Sequence, residues 1–169
     1  MLELCAGSLA DTQAIAAALA GLARRGDIVL LSGEMGAGKT AFAQGFGAAL
    51  GVTEPITSPT FTLVHSYPVD GLTLHHADLY RLDRTDEIAD LALDELADFK
   101  GIVLVEWGEV IDGAFADHLS VHLDPDPEAS PPDDEFGLDG ARRIEISAAG
   151  PSWAGRWATL IERCEVHTC

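Results

Sequence analysis

The octet GEMGAGKT, at residues 33–40, constrains what this chain can fold into more than any other feature. It fits the phosphate-binding pattern G-x-x-x-x-G-K-[ST] without a mismatch. Glycines in such a loop let the backbone turn tightly and bring its N–H groups close to a polyphosphate. Lys39 is placed to reach the β- and γ-phosphates, and Thr40 to offer its hydroxyl to Mg²⁺. The residues predicted to contact a nucleotide here are Glu34, Met35, Gly36, Ala37, Gly38, Lys39 and Thr40.

The segments beside the octet favour a nucleotide-binding loop over the alternative, a glycine-rich turn before a helix. DIVLLS, at residues 27–32, is a short apolar run typical of a strand. Residues 39–50 have the pattern of a helix whose N-terminus would face the anion, with Gly51 ending it. Strand, loop and helix therefore agree on one phosphate-binding unit.

Helical and strand patterns alternate along the chain. We predict helices at 8–25, 85–99 and 153–164, and strands at 61–67, 72–78, 101–106, 118–124 and 142–148. The sequence PVDG between the first two of these strands predicts a hairpin. We expect an α/β single-domain P-loop NTPase fold over residues 1–169, with a mostly parallel central sheet flanked by helices and an antiparallel addition. An acidic, proline-rich surface loop is expected at 124–141.

Composition excludes several classes of protein. The chain has 169 residues, 47% of them hydrophobic, which suits one domain with a sizeable core. No stretch approaches the roughly 20 apolar residues of a membrane span, and we see no secretory signal. The three cysteines are few and far apart, which favours reduced thiols. We therefore expect a cytoplasmic protein that does not bind a membrane.

The net charge of −18 disfavours direct, tight binding of DNA or RNA. The ten basic residues are scattered, with adjacent pairs only at Arg24–Arg25 and Arg142–Arg143. An acidic chain can still serve a nucleic-acid pathway through a basic partner. We therefore expect no DNA contact and, at most, an indirect role with RNA.

Two carboxylates stand where a phosphate-binding loop needs acidic help, at the ends of neighbouring strands. Glu106 ends the apolar run GIVLVE, and Asp78 ends LTLHHAD. Either can hold Mg²⁺ or orient water, and which one binds the metal directly stays open. The alternatives are a solvated acid for Glu106 and a turn or helix cap for Asp78. Thr60, in SPTF, is either a γ-phosphate sensor or an ordinary loop threonine.

Other candidate sites have weaker patterns. His75 and His76 alternate along a strand, so they should point to opposite faces and not chelate one metal. Cys164, His167 and Cys169 resemble metal-ligand spacing, but a frayed tail explains them better. Because the chain has no Asn-Lys-x-Asp motif, and no Asp-x-x-Gly motif after a second strand, a GTPase is disfavoured. A nucleotide kinase is disfavoured by the lack of an arginine-rich lid.

The motifs in order resemble those of the TsaE (YjeE) family, the small bacterial ATPases of tRNA threonylcarbamoyladenosine biosynthesis. The matching landmarks are GEMGAGKT, SPTFTLVHSY, HHADLYRL, LALDEL and VLVEWGE, which span about residues 8 to 110. The long acidic loop at 124–141 departs from the family pattern. The resemblance implies a fold that binds ATP and Mg²⁺ and hydrolyses ATP slowly alone. It also implies work with the TsaB–TsaD heterodimer, in which TsaD performs the transfer and hydrolysis resets the complex.

The resemblance also assigns roles to individual residues. Lys39 would bind the phosphates, Thr40 and Glu106 the Mg²⁺, and Asp78 would serve hydrolysis or coordination through water. The remaining residues implied at the nucleotide are Ser8, Thr12, Thr60, Trp107 and Arg142.

No arginine finger is evident in the sequence, so slow turnover alone and stimulation by the partners are expected. The alternatives are a small-molecule or nucleoside kinase, and a nucleotide-dependent binding module with incidental hydrolysis.

Overall fold

The computed structural model describes residues 1–59, 63–80, 88–98, 100–111, 113–126 and 140–169. Within them the strands are β1 Leu2–Ala6, β2 Ile28–Ser32, β3 Val64–Val69, β4 Leu72–Asp78, β5 Gly101–Glu106, β6 His118–Pro125 and β7 Arg142–Ala149. The α-helices are α1 Leu9–Ala20, α2 Lys39–Leu50, α3 Leu93–Asp98 and α4 Trp157–Arg163. Short 3-10 helices cover Gly108–Ile111 and Glu165–His167.

All seven strands form one sheet in the order β1-β7-β6-β2-β5-β4-β3. The four central strands β6, β2, β5 and β4 run parallel to one another. Strands β7 and β1 add antiparallel pairs at one side, and β3 adds one at the other. The predicted α/β fold with a mostly parallel sheet and an antiparallel addition is therefore confirmed.

The strand β5 shows why its sequence is apolar up to its last residue, Glu106. All six of its residues are buried. Ile102 and Leu104 pack into a core shared with α1, α2 and α4, while Val103 and Val105 pack into a second core with α3. Because neighbouring side chains on a strand point to opposite faces, a strand covered on both sides needs a continuous apolar run.

The first helix is shorter than predicted. Ser8 caps α1, since its Oγ accepts from the amide of Asp11 at 3.2 Å. The helix ends at Ala20 rather than residue 25. Asp27 gives the reason, because its Oδ2 accepts from the amide of Arg24 at 2.7 Å and from Arg156 at 2.6 Å. These bonds hold the segment after Ala20 as a turn leading into β2.

The helix predicted at 85–99 is also wrong in extent. Residues 85–87 and 99 lie outside the described residues, and within the described part only Leu93–Asp98 forms a helix of more than one turn. Ala92 has a φ of 48°, in the left-handed region that an α-helix cannot continue through. Ile88, earlier in the same predicted segment, is buried in the second core.

The hairpin of β3 and β4 is confirmed with a tighter turn than expected. Pro68 and Val69 belong to β3, so the turn is at Asp70 and Gly71. The helix α4 begins at Trp157 rather than 153, and its Ile161 is 43% exposed. The edge strand β1 has no counterpart in the sequence prediction.

Cys5 and Cys169 form a disulfide, so the expectation of three reduced thiols is wrong. An isolated bridge between Leu4 and Thr168 brings the last residues alongside β1, which places the two sulfur atoms together. This segment is therefore ordered rather than a frayed tail. Cys164 stays free and buried, and burial raises the pKa of its thiol. The argument from thiols to a cytoplasmic location no longer holds.

Two further expectations concern membranes and the acidic loop. None of the helices in the described ranges is long and apolar enough to cross a bilayer. Strand β6 extends to Pro125, into the region predicted as a loop at 124–141, and β7 starts at Arg142, directly after that region as predicted. Residues 127–139 lie outside the described residues.

Candidate functional site

The loop between β2 and α2 takes a path that only glycine permits. Gly33 has a φ of 129°, and a Cβ there would lie 2.1 Å from the carbonyl oxygen of Leu123 on β6. Gly38 has a φ of 103° and packs against the side chain of Arg142. Both positions need the left-handed backbone and the space that a missing side chain leaves. The glycines therefore form a narrow turn seated on β6 and β7.

The helix α2 begins directly after this turn, at Lys39, and no side chain caps it. The first amides of a helix lack partners within the helix and carry the positive end of its dipole. An uncapped helix start after a glycine turn is a favourable place for an anion. The predicted helix at 39–50 is confirmed at both ends, with Gly51 as the residue that ends it.

Lys39 lies folded back over the loop. Its Nζ donates to the carbonyl oxygens of Gly33 at 2.6 Å and Glu34 at 2.8 Å. The same nitrogen lies 4.0 Å from the ring centre of Trp107, in a cation–π contact. Burial lowers the pKa of Lys39, and the nearby carboxylates, Glu106 foremost, oppose that shift. The ammonium group is therefore held at the mouth of the turn, close to the first turn of α2.

Glu106 and Thr40 meet in a direct contact. The Thr40 hydroxyl lies 3.0 Å from Oε1 and 3.1 Å from Oε2 of Glu106, to which it donates. Glu106 is only 3% exposed, and its Oε1 also lies 2.9 Å from Nε2 of His76. The solvated-acid alternative for Glu106 is therefore wrong. The structure brings together the hydroxyl and the carboxylate that the family resemblance implies for one metal ion.

Asp78 lies beside Glu106, because the two residues are directly paired across the parallel strands β4 and β5. One carboxylate oxygen accepts from the hydroxyl of Ser58, and the other accepts from the amide of Tyr80 at 2.9 Å. Asp78 thus joins the segment before Pro59 to the end of β4. The bond from the amide of Tyr80 is what a turn acid would make, so that alternative accounts for part of the contacts of Asp78. Its position beside Glu106 fits a catalytic role.

Trp107 follows Glu106 with a φ of 62°, outside the extended backbone of β5. Its ring packs on that of Tyr80, with centroids 4.9 Å apart. This turn aims the indole at Lys39 instead of continuing the strand. Trp107 and Tyr80 together form an aromatic wall next to the phosphate loop.

These side chains enclose an open cleft of about 320 Å³. The sequence-predicted residues that line it are Met35, Gly36, Gly38, Lys39, Thr40, Asp78, Glu106 and Trp107. Ser58, Pro59, Leu63 and Tyr80 complete the lining. The cleft is within the size range of small-molecule sites.

The other predicted nucleotide contacts lie around this cleft. Glu34 lines a neighbouring depression, and Ala37 is buried with its carbonyl accepting from Nε of Arg142 at 2.8 Å. Arg142 is thus placed behind the loop, where it holds the turn. Ser8 caps α1, and Thr12 has no exposed surface. Direct contact of Ser8, Thr12 or Arg142 with a nucleotide stays a prediction.

Two candidate sites, at Thr60 and at the C-terminal Cys and His residues, are not supported by the described residues. Thr60 lies outside the described residues. Within the described ranges, no cluster of three or more His, Cys, Asp or Glu side chains could hold a metal. The structure therefore gives no support for a metal site at Cys164, His167 and Cys169, and Cys169 is bonded to Cys5.

Sequence reasoning missed His76 and Ser58 as parts of the site. His76 was placed on a strand face without a partner, although the parallel neighbour β5 carries Glu106 within reach. Ser58 lies in the motif SPTF, from which the sequence prediction takes only Thr60. A sequence signal is present for Ser58, which shares the motif SPTF with Thr60, whereas the role of His76 follows only from the pairing of β4 with β5.

Comparison with known proteins identifies the family to which this site belongs. A family model described as "Threonylcarbamoyl adenosine biosynthesis protein TsaE" matches residues 6–130. The chain belongs to the TsaE family. The resemblance stated from GEMGAGKT, SPTF, HADLYR and VEWGE is therefore confirmed.

Individual TsaE proteins are similar over much of the chain. The tRNA threonylcarbamoyladenosine biosynthesis protein TsaE of Streptomyces coelicolor is 40% identical over 80% of this chain and 89% of its own length. The TsaE protein of Bacillus subtilis is 45% identical over 60% of this chain, and the match spans 63% of that relative, just under two thirds. The crystal structure of Bacillus subtilis YdiB is similar with a TM-score of 0.69 and 30% identity, covering 98% of this chain and 94% of that one.

Proposed function

We propose that the chain is a Mg²⁺-dependent ATPase of tRNA threonylcarbamoyladenosine biosynthesis. Its ATP hydrolysis would act on the TsaB–TsaD complex and reset it between rounds of tRNA modification. The family membership supports the pathway, since TsaE proteins carry that description. The observation that carries the activity is the meeting of Thr40 and Glu106 beside Lys39 and the uncapped start of α2.

The residues of the cleft fit a magnesium nucleotide. Thr40, Glu106 and Asp78 offer oxygen atoms, which are the ligands that Mg²⁺ prefers. The described residues hold no complete metal cage, and Mg²⁺ in phosphate-transfer sites commonly takes its other ligands from phosphates and water. The loop amides and Lys39 would bind the phosphates, while Thr40 and Glu106 would hold the cation. The cation would supply charge neutralisation between the β- and γ-phosphates.

The rest of the chemistry falls to positioned side chains. Asp78, held by Ser58 and the amide of Tyr80, would orient the attacking water or coordinate the cation through water. Lys39 would leave the carbonyls of Gly33 and Glu34 for the phosphates, where its charge stabilises the transition state. The described lining of the cleft contains no arginine. An arginine finger is worth about 10³–10⁵ in rate, so the chain alone should be slow.

The first test is ATP hydrolysis by the pure chain, with and without TsaB–TsaD. We expect low basal activity that rises when the partners are added. Lys39→Ala should lower the rate by about 10²–10³-fold, the loss seen when one electrostatic donor is removed. Lys100→Ala is the matched control. Lys100 is exposed and lies just before the first residue of β5, at the end of the strand opposite Glu106, so its replacement should leave the rate unchanged.

Two outcomes would contradict the proposal. The chain would be a kinase if its hydrolysis rate does not change when TsaB–TsaD is added and if ADP forms when a small-molecule acceptor is added. Equal losses in Lys39→Ala and Lys100→Ala would show that the measured activity does not arise in this cleft.

A further inference from the structure

We propose that His76 is a positioning residue for Glu106, holding the carboxylate in the orientation that a cation at Thr40 requires. His76 lies in β4 and has no exposed surface. Its Nε2 lies 2.9 Å from Oε1 of Glu106. This inference rests on the proposed function, since it concerns the carboxylate assigned there to magnesium.

The contacts of Glu106 divide its two oxygen atoms. Oε1 meets both the His76 ring and the Thr40 hydroxyl, whereas Oε2 meets Thr40 alone among the described residues. The His76 ring therefore fixes the Oε1 side of the group. This leaves Oε2 as the oxygen with capacity for a further ligand. A free glutamate would lose rotamer freedom on binding a cation, and a carboxylate already held by a ring nitrogen loses less.

The other ring nitrogen argues against a role in packing alone. Nδ1 of His76 is buried and has no hydrogen-bond partner within the described ranges. A buried polar atom without a partner destabilises a fold, and an aliphatic side chain of similar volume would avoid that cost. The contact with Glu106 is thus the feature that distinguishes histidine from leucine at this position.

The neighbouring residue provides a matched control. His75 is also buried on β4, at 8% exposure, and its Nδ1 lies 2.8 Å from the Ser66 hydroxyl on β3. It has the same strand, the same residue type and one side-chain hydrogen bond, but it does not touch Glu106. A loss specific to His76 therefore cannot come from the removal of a strand histidine in general.

The test measures binding of a non-hydrolysable ATP analogue by calorimetry, over a range of MgCl₂ concentrations and in EDTA. In His76→Leu we expect the Mg²⁺ concentration for half-maximal enhancement of binding to rise about 10- to 100-fold, as for other partners that orient metal ligands. Binding in EDTA should be unchanged. His75→Leu should match the wild type in both measurements.

A second pair of variants covers the case in which His76→Leu does not fold. The amide nitrogen of glutamine reaches about as far as Nε2, so His76→Gln should restore the wild-type Mg²⁺ dependence. Asparagine is shorter, so His76→Asn should show the raised Mg²⁺ requirement. Thermal unfolding of each variant without nucleotide separates stability from metal binding.

The possible results separate the positioning role of His76 from the proposed ATPase function. Unchanged Mg²⁺ dependence in His76→Leu, or equal behaviour of the Gln and Asn variants, would overturn the positioning role while leaving the proposed ATPase intact. Wild-type binding that does not depend on Mg²⁺ would overturn the proposed function and this inference with it.

Discussion

Single residues of the phosphate loop differ in what surrounds them, which allows a direct comparison. Gly36 has a φ of 84° with open space where a Cβ would go, whereas a Cβ on Gly38 would lie 2.5 Å from Nε of Arg142. Gly36→Ala should lower the free energy of unfolding by about 1–2 kcal/mol, the cost of a left-handed alanine. Gly38→Ala should lower the free energy of unfolding by about 1–3 kcal/mol more than Gly36→Ala does, because the buried Arg142 must move.

Urea unfolding without nucleotide measures both glycine variants. Equal losses would show that Arg142 does not support the loop from behind. A difference would confirm that the turn before α2 is held by a side chain from β7, more than 100 positions further along the chain.

The residue scale also shows which parts of the site were readable from the sequence. Lys39 and Thr40 follow from one local motif, and Glu106 follows from the end of a buried strand. His76 could not be assigned, because its role depends on which strand lies beside β4 and on the direction its ring takes. The buried place of Arg142 depends in the same way on the pairing of β7.

At the scale of elements, the hairpin of β3 and β4 predicts a pH effect. Burial lowers the pKa of His75 from its usual 6.5. The unfolded chain then binds the proton that the folded chain rejects, so stability is full above pH 6.5 and falls as the pH drops below it. The slope contributed by this residue is at most about 1.4 kcal/mol per pH unit.

Unfolding by urea between pH 5 and pH 8 measures this slope. His75→Gln, which keeps a polar side chain opposite Ser66, should flatten the acid side of the curve. Parallel curves for the variant and the wild type would assign the acid sensitivity to other groups.

Elements were predicted well where the local pattern sufficed. Helix α2 has a glycine at each end, and β5 is an apolar run that ends in Glu106, so both are predicted with their bounds. The five-residue strand β1 was missed, because its pairing with β7 is set by residues about 140 positions away. The break at Ala92 was missed because alanine normally favours a helix, and only tertiary packing imposes its left-handed backbone.

At the scale of the whole molecule, the Cys5–Cys169 bond spans 164 positions and should stabilise the fold. Reduction should lower the free energy of unfolding by about 2–4 kcal/mol, the typical contribution of a disulfide. Thermal unfolding with and without reductant measures the loss. Cys169→Ser should remove the dependence on reductant, and Cys164→Ser should keep it.

Thiol titration in denaturant provides an independent count. One thiol should react before reduction, that of the buried Cys164, and three after it. Three reactive thiols without reductant would show that the bond does not form in the purified protein.

The same bond changes the connectivity of the chain. From Cys5 to Cys169 the backbone and the disulfide together make a closed ring. A single protease cut anywhere inside this ring opens it without releasing a fragment, so the nicked molecule keeps its mass on a non-reducing gel. Two cuts are needed to free a piece, and the two polypeptides that remain stay joined through the Cys5–Cys169 bond.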